Sequence, residues 1–324
     1  MNSERIIITG GAGFIGRALI ARCLGEGAKV AVVDNLCVGR IDNLEPYLDK
    51  IEFFETDILD QISLNAVMEK VKPGIVFHLA AHHFIPFCDE HPAETLRVNV
   101  EGTFSVLNAA ARHGVATAVV ASSGALYPSR DALLGEDLQP APSDIYGLSK
   151  HMAEQVTQFI ASTTGVSCVA ARLFNTYGPH ETNAHLIPHI MSSLRGGPVV
   201  ELGNIHTKRD YIYVDDVAEC LYRCGQAAPP RYTTVNVGTG MEYSAEEIVQ
   251  TISQILNCEI SIAIGTSRVR NVDKLNQRAD IQRLLSLTDM RPHHSLSDGL
   301  RKLLAHERIG RPQFRSVDVD MASI

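Results

Sequence analysis

Short runs of apolar, mostly β-branched residues alternate with amphipathic stretches along the first half of this chain. Continuous apolar runs are typical of strands that are buried on both faces of a parallel sheet. The alternation therefore predicts an α/β fold with a doubly wound parallel sheet and right-handed crossovers. Strands are predicted over 6–9, 29–34, 51–55, 75–79, 117–122 and 168–174, and helices over 15–26, 62–69, 93–113 and 146–163.

The pattern weakens after residue 174, where prolines interrupt it. Short strands at 210–213 and 234–237 are predicted to return to the first domain, and further helices are predicted over 245–256 and 281–287. We expect a first domain over 1–174 with returning segments near 210–240. A smaller, discontinuous C-terminal lobe, mainly 175–310, would cover the mouth of the sheet, and 311–324 would form a loose tail.

The composition excludes several classes of protein. The 324 residues include 29 basic and 37 acidic side chains, a net charge of −8, which disfavours a nucleic-acid surface. No apolar stretch reaches the ~18–20 residues of a membrane span, and no secretory leader is evident. The seven cysteines form no CxxC pair, and the histidines lack metal-ligand spacing. We expect a cytoplasmic protein with reduced thiols, no bound metal and no membrane or nucleic-acid partner.

A glycine turn follows the first predicted strand. Gly10, Gly13 and Gly16 are spaced GxxGxxG, and Phe14 and Ile15 begin the next helix. Such a turn lets backbone N–H groups approach a pyrophosphate at a helix N-terminus, as in a Rossmann-type domain. Asp34 ends the second strand, where an acid accepts hydrogen bonds from an adenosine ribose and repels a 2′-phosphate. These features predict a site for NAD rather than NADP.

Residues after the next strands extend this prediction. Asp57 and Ile58 follow the third strand, where side chains reach an adenine, although Asp57 also fits the start of a helix. The small residues after His78 suit close approach to a flat cofactor or plain packing of a helix on the sheet. The predicted cofactor contacts from these segments are Asn35, Asp57, Ile58, Leu79, Ala80 and Ala81.

Tyr146 and Lys150 form a YxxxK pair on one face of a predicted helix. An ammonium beside a phenol is expected to lower the pKa of the phenol from about 10 toward neutrality. The tyrosine would then exchange a proton with a sugar hydroxyl while hydride moves to a nicotinamide. Ser123, at the end of the preceding strand, would hydrogen-bond the same reacting oxygen.

With these motifs the chain resembles the extended short-chain dehydrogenase/reductases, the NAD-dependent epimerase/dehydratase family, from Ile6 to about Leu300. The resemblance implies that Ser123, Tyr146 and Lys150 are catalytic, and that Tyr146, Lys150 and Asn99 belong to the cofactor site. It also implies a nucleotide-diphosphate sugar as substrate and a homodimer formed through the helices at 93–113 and 146–163. Further segments of the resemblance are Asn99–Gly102, Arg172–Pro179, Arg209–Asp216 and Asn236–Gly240.

Substrate-side residues follow from the same resemblance. Asn175 corresponds to the asparagine on the substrate side, and Arg209 and Arg270 correspond to two arginines that clamp a nucleotide diphosphate by bidentate pairing. The segment that begins with His82 and His83 departs from the usual sequence of the family, so we interpret it as a substrate-specificity segment. Packing of one of these histidines on the next helix is the alternative.

The residues after Ser123 favour a 4-epimerase among the family's reactions. Family dehydratases carry Asp-Glu there, decarboxylases carry Glu, and 3,5-epimerases carry Cys at the position of Ala125. His185 resembles a histidine used for acid–base epimerisation, so a 5-epimerase or net oxidoreductase stays open, with Cys88 as a substitute thiol. Uronate 4-epimerases place an arginine after the Gly-Pro that corresponds to Gly178-Pro179. This chain has His180-Glu181-Thr182 there instead.

Overall fold

A seven-stranded parallel sheet forms the centre of the molecule, which a computed structural model describes over residues 4–130, 132–227, 229, 231–265 and 276–310. The strand order is β12-β7-β5-β4-β1-β2-β3, so the sheet extends in both directions from β1. This is the doubly wound arrangement predicted from the sequence. Its strands are β1 (Arg5–Thr9), β2 (Lys29–Asp34), β3 (Ile51–Glu55), β4 (Ile75–His78), β5 (Thr117–Ser123), β7 (Ser167–Leu173) and β12 (Tyr232–Val237).

Eleven α-helices occur in the described part of the chain. The predicted helix over 93–113 is divided, because a π-helical segment (Arg97–Glu101) separates α4 from α5. The helices are α1 (Phe14–Gly25), α2 (Gln61–Val71), α3 (Ile85–Glu90), α4 (Pro92–Leu96), α5 (Gly102–Arg112), α6 (Ile145–Thr163), α7 (Leu186–Gly196), α8 (Val214–Ala227), α9 (Ala245–Leu256), α10 (Gln282–Thr288) and α11 (Leu296–His306).

Successive residues of the strands face opposite helix layers. In β1, Ile6 and Ile8 pack with the cluster that includes α1 and α8, whereas Ile7 packs with α2 and α5. All three side chains are completely buried. Because side chains alternate along a strand, a run without polar residues is what a sheet covered on both faces requires.

The second lobe is built from short strands and three helices. A four-stranded sheet has the order β13-β10-β15-β6, and the pairs β11-β8 and β14-β9 are separate ladders. An apolar cluster from α7, α9 and α11 forms the core of this lobe. The strands are β6 (Leu133–Leu134), β8 (Asn175–Tyr177), β9 (Val199–Leu202), β10 (Lys208–Arg209), β11 (Tyr211–Tyr213), β13 (Tyr243–Ser244), β14 (Ser261–Ile264) and β15 (Asn276–Ala279).

The two segments predicted to return to the first domain pair with different strands. Residues 232–237 join that sheet as β12 and pair in parallel with β7. Residues 211–213 form β11, which pairs in parallel with β8 and not with the main sheet, while Ile212 packs in the apolar cluster that includes Ile6 and Ile8. The predicted tail, 311–324, lies outside the described residues.

Within the described ranges, no helix combines the length and the apolar character needed to cross a membrane.

Candidate active site

A cavity of about 1210 Å³ lies at the carboxyl ends of the central strands, between the sheet and the second lobe. Its wall combines the glycine turn after β1, the ends of β2, β4 and β5, the first turns of α6 and the segment that leads into α7. Ligand sites of open α/β sheets occur at this edge. The volume exceeds the ~300–1,000 Å³ of usual small-molecule pockets, so a dinucleotide and a second ligand fit together.

The glycine turn is closely packed where the sequence predicted a phosphate cradle. Gly10 has a φ of +70°, and a Cβ on Gly16 would lie 2.4 Å from the Gly10 carbonyl oxygen. Helix α1 starts at Phe14, and its N-cap residue, Gly13, has no side chain to cap the first amides. The first N–H groups of α1 therefore border the cavity, as a pyrophosphate site requires.

Asp34 is buried beside this turn. One carboxylate oxygen accepts from the Ala12 amide and the other from the Leu36 amide, both at 2.9 Å. Burial raises the pKa of Asp34, and the two amides oppose that shift. A carboxylate has about four acceptor sites. Capacity for ribose hydroxyls therefore remains, and the residues present fit the dinucleotide predicted from the sequence.

Most of the other predicted cofactor residues line the cavity. They are Phe14, Ile15, Asn35, Asp57, Ile58, Leu79, Ala80, Ala81, Tyr146 and Lys150. Asn35 donates its amide to Asp57 at 3.0 Å, which joins the loops after β2 and β3.

Asn99 was predicted to contact the cofactor, but it does not line the cavity. Its amide nitrogen donates to the His82 carbonyl at 2.8 Å and to the Ser149 hydroxyl at 2.9 Å, and its oxygen accepts from the His82 amide. These hydrogen bonds use both the nitrogen and the oxygen of the Asn99 side chain. Asn99 thus connects the π-helical segment to α6 and to the segment after β4, which supports the site from behind.

Ser123, Tyr146 and Lys150 come together at the end of β5 and the start of α6. All three line the cavity. The Lys150 ammonium donates to the Ala121 carbonyl at 2.9 Å and lies 6.0 Å from the centre of the Tyr146 ring. The N-cap Asp144 fixes the first turn of α6, because its carboxylate accepts from the Gly147 amide at 2.7 Å.

The electrostatics of this pair differ from the sequence-based expectation. Desolvation raises the pKa of Tyr146 to about 12, and the Ser123 hydroxyl opposes that shift. Desolvation also lowers the pKa of Lys150 to about 8, against the effects of Cys88 and Glu154. Burial, which the expectation of a lowered pKa left out, therefore sets the direction of the Tyr146 shift.

A buried ion pair behind the site is absent from the sequence-based predictions. Arg172 on β7 donates two hydrogen bonds to Glu154 on α6, at 2.9 and 2.8 Å, and both side chains are almost fully buried. Ser122, next to Ser123, donates to the same carboxylate at 2.6 Å. Glu154 lies one helical turn beyond Lys150, so it fixes the register of α6 against β5. The feature of the sequence that could have indicated this ion pair is Arg172 itself, an arginine within an apolar strand.

Two of the predicted diphosphate and substrate residues line the second-lobe side of the cavity. Asn175 begins β8, and Arg209 ends β10 and donates to the Lys208 carbonyl at 2.8 Å. The fully buried Asp210 accepts from the Thr239 and Gly240 amides, both at 2.8 Å, and fixes this corner of the lobe. Desolvation raises the pKa of Asp210 to about 6. Arg270 lies outside the described residues.

The predicted specificity segment also faces the cavity. His82 is buried, and its imidazole lies 3.2 Å from the Glu94 carboxylate. His83 and His185 line the cavity, and the His185 ring contacts the edge of Phe84. Cys88 is fully buried and does not line the cavity.

Gln277 also lines the cavity, and it is not among the residues predicted from the sequence. It lies on the four-residue strand β15, and its side-chain amide donates to the Gly124 carbonyl at 3.4 Å. In the described part of the chain no group of three or more His, Cys, Asp or Glu side chains is arranged to hold a metal ion.

Comparison with known proteins agrees with this geometry. The profile of the NAD dependent epimerase/dehydratase family matches residues 6–238. UDP-glucose 4-epimerase of Mycolicibacterium smegmatis is 30% identical over 306 residues, covering 92% of this chain and 96% of that protein. GDP-6-deoxy-D-talose 4-dehydrogenase of Aggregatibacter actinomycetemcomitans is 30% identical over 287 residues, covering 87% and 90%.

A solved structure shares the whole arrangement. UDP-glucose 4-epimerase from Stenotrophomonas maltophila, with bound NAD and formylated UDP-arabinopyranose, superposes with a TM-score of 0.88 at 26% identity, covering 94% of this chain and 98% of that one. The match includes both the sheet and the second lobe. This chain belongs to the NAD-dependent epimerase/dehydratase family, whose cofactor is NAD.

Proposed function

We propose that this protein is a nucleotide-sugar 4-epimerase that oxidises its substrate transiently at sugar C4 and returns the hydride to the opposite face. The observation that carries the proposal is the convergence of Ser123, Tyr146 and Lys150 in a cavity large enough for NAD and a second ligand. The curated 4-epimerase that matches 92% of the chain supports it. The 4-epimerase reaction is further supported by Gly124-Ala125, which stand where dehydratases and decarboxylases carry acids.

In this mechanism the chain positions the sugar and moves one proton. NAD, held by the glycine turn after β1 and by Asp34, would supply the hydride acceptor and donor for this chemistry. Tyr146 takes the proton of the C4 hydroxyl during oxidation and returns it during reduction, while Ser123 donates a hydrogen bond to the same oxygen. Lys150, held by the Ala121 carbonyl, supplies positive potential beside the phenol. Arg209 and Arg270 are assigned to the diphosphate, and Asn175, His82, His83 and His185 to the rest of the substrate.

Deprotonation of Tyr146 is the demanding step, because desolvation raises the pKa of this phenol to about 12. A ligand that enters the cavity with additional positive charge near the phenol would lower that pKa. We therefore expect Tyr146 to become an effective base only in the cofactor-loaded enzyme.

A 5-epimerase or a net oxidoreductase or dehydratase is the second candidate. His185 lines the cavity, and the matched GDP-6-deoxy-D-talose 4-dehydrogenase has a different reaction from the 4-epimerases. Cys88, the thiol that such a mechanism would need, does not line the cavity, and burial raises the pKa of that thiol. We therefore favour the 4-epimerase.

We also propose that the protein is a homodimer. Phe104 of α5 and Leu148, Met152 and Phe159 of α6 are between 36% and 60% exposed, which leaves apolar area on adjacent helices. A second copy would cover these side chains in a four-helix bundle. Light scattering after chromatography tests this, and a monomeric wild-type protein would contradict it. The cytoplasmic location stays a prediction from the sequence.

The reaction is tested with purified protein, a panel of nucleotide-diphosphate sugars and no added cofactor. Proton NMR identifies the product, and absorbance near 340 nm follows reduced nicotinamide. A sugar inverted at C4 without net reduced nicotinamide supports the proposal. Net reduced nicotinamide, a dehydrated keto-sugar or inversion at C5 rejects it in favour of the second candidate.

A further inference from the structure

An aspartate, a histidine and a lysine form a chain of hydrogen bonds outside the cavity, where α8 and α11 begin. The Asp216 carboxylate accepts from the His294 backbone amide at 2.9 Å and lies 3.0 Å from the His294 Nδ1 atom. The Lys302 Nζ atom, on α11, lies 2.7 Å from the His294 Nε2 atom. None of these three side chains lines the cavity, so the chain is separate from the proposed sugar site.

The protonation of the His294 ring follows from its two partners. An ammonium group can only donate hydrogen bonds, so Nε2 accepts from Lys302. An ionised carboxylate can only accept, so Nδ1 carries the proton and donates to Asp216. The imidazole is therefore neutral, and its lone pair is directed at the lysine.

Burial fixes the carboxylate and leaves the lysine accessible. The side chains are 3% exposed for Asp216, 19% for His294 and 53% for Lys302. Asp216 lies in the first turn of α8, where the helix dipole favours an anion. A carboxylate that orients an imidazole against an accessible nucleophile is the arrangement that activates nucleophiles in proteins.

The other groups around Lys302 favour its ammonium form. Nζ lies 3.9 Å from the Asp215 carboxylate and 5.5 Å from the centre of the Tyr213 ring, and both stabilise a cation. Asp298, another acid near His294, is joined to Ser295 in the capping box of α11. The lysine is thus held beside Nε2 as a cation, and the imidazole is the base within hydrogen-bond reach that can free the nitrogen lone pair.

We propose that Lys302 is a site of covalent modification by acyl thioesters, with His294 as its general base and Asp216 as the group that orients this base. His294 takes a proton from the ammonium, and the freed amine forms a bond to the carbonyl carbon of the thioester. The carbon–sulfur bond breaks, and the thiolate leaves with one of the two remaining protons of the nitrogen. The product is a neutral amide, and no oxidant or further reactant is needed. The carboxylates at the site disfavour an acyl phosphate, which is an anion.

Lys70 is a control within the same molecule. Its Nζ atom lies 3.1 Å from the Glu52 carboxylate and 4.8 Å from the centre of the Phe54 ring, and its side chain is 63% exposed. It resembles Lys302 in having a carboxylate, an aromatic ring and access to solvent, but its contacts in the described part of the chain include no imidazole. The difference between the acylation rates of the two lysines therefore reports the effect of His294.

The experiment treats the NAD-loaded protein at neutral pH with the acetyl thioester of N-acetylcysteamine. Peptide mass spectrometry follows the acetylated fractions of Lys302 and Lys70 with time in the same sample. We expect Lys302 to react at least about tenfold faster, a smaller factor than the roughly 10²–10⁴-fold of general acid–base catalysis because the site is open to water.

Two variants test the parts of the chain of hydrogen bonds. His294→Gln keeps an oxygen that can accept from Lys302 but removes the base, and Asp216→Asn removes the charge that stabilises the protonated imidazole. Each should reduce the ratio of the Lys302 rate to the Lys70 rate to about threefold or less. Circular dichroism checks that each variant is folded.

A wild-type ratio below about tenfold overturns the proposal, and so does a ratio that stays above about threefold in either folded variant. If the buried Asp216→Asn change prevents folding, His294→Gln alone decides, because His294 lies at the surface and its replacement is tolerated more easily. The test does not depend on the 4-epimerase reaction, since acylation is measured without any sugar substrate.

Discussion

Replacing Glu154 by leucine would leave the Arg172 guanidinium buried without its partner. The wild-type carboxylate accepts hydrogen bonds of 2.9 and 2.8 Å from Arg172 and one of 2.6 Å from Ser122. Both ionic side chains are about 5% exposed, so water cannot replace the missing acceptor. Loss of one member of a buried pair costs about 3–5 kcal/mol. We expect the free energy of unfolding of Glu154→Leu to fall by that amount.

The double variant Glu154→Leu, Arg172→Met separates the cost of an unpaired charge from the value of the pair. With both charges gone, apolar side chains fill the space, and we expect at least about 2 kcal/mol to be recovered relative to Glu154→Leu. The chain has no tryptophan, so denaturant unfolding is best followed by far-UV circular dichroism. Lys70→Met is the control, because Lys70 and Glu52 form an exposed pair at 3.1 Å that is worth at most about 1 kcal/mol.

The reasoning is refuted if Glu154→Leu costs no more than Lys70→Met, or if the double variant is the least stable of the series. Either result would mean that the buried network relaxes or admits water. Turnover of Glu154→Leu, at a temperature where it is folded, should also fall, because Glu154 fixes the helix that carries Lys150.

Three further predictions concern the turn, the phenol and a buried histidine. Tyr146→Phe should retain NAD and lose turnover by about 10²–10⁴-fold, and residual turnover within tenfold of wild type would contradict its role. Gly16→Ala should lose co-purified NAD, because the new Cβ would lie 2.4 Å from the Gly10 oxygen, whereas Gly25→Ala, with no atom within 4 Å of its Cβ, should keep it. Burial lowers the pKa of His78 to about 3, so between about pH 3 and pH 6.5 the unfolded chain binds one more proton than the folded chain. Stability therefore falls across this window as pH decreases, by about 1.4 kcal/mol per pH unit. His78→Gln should flatten that slope by one proton between about pH 6 and pH 4 in unfolding titrations, and equal slopes would contradict the assignment.

The main sheet and the cofactor turn were predictable because their physical requirements appear directly in the sequence. A strand buried on both faces needs an uninterrupted apolar run, which Ile6, Ile7 and Ile8 provide. The turn requires glycine wherever a Cβ would meet backbone, as at Gly16. These requirements are local, so a short window of sequence contains them.

The second lobe was less predictable, because its strands are two to four residues long and such segments have no periodicity to detect. The ladder of β11 with β8 depends on pairing between Tyr211 and Asn175, which no local pattern specifies.

The prediction that the pKa of Tyr146 is lowered was wrong for a related reason. The sequence shows that a lysine is one helical turn away, but it does not show how much water the fold removes.

The position of β12 at the end of the sheet has a consequence for how the chain can be divided. This strand covers one side of β7, yet it is made only after the chain has passed through β8, α7 and α8. A fragment that ends near residue 174 would expose the backbone N–H and C=O groups of β7 over Ser167–Leu173, a long apolar edge open to another chain. The nucleotide-binding half is therefore unsuited to separate expression, and fragments cut at that boundary should associate through β7.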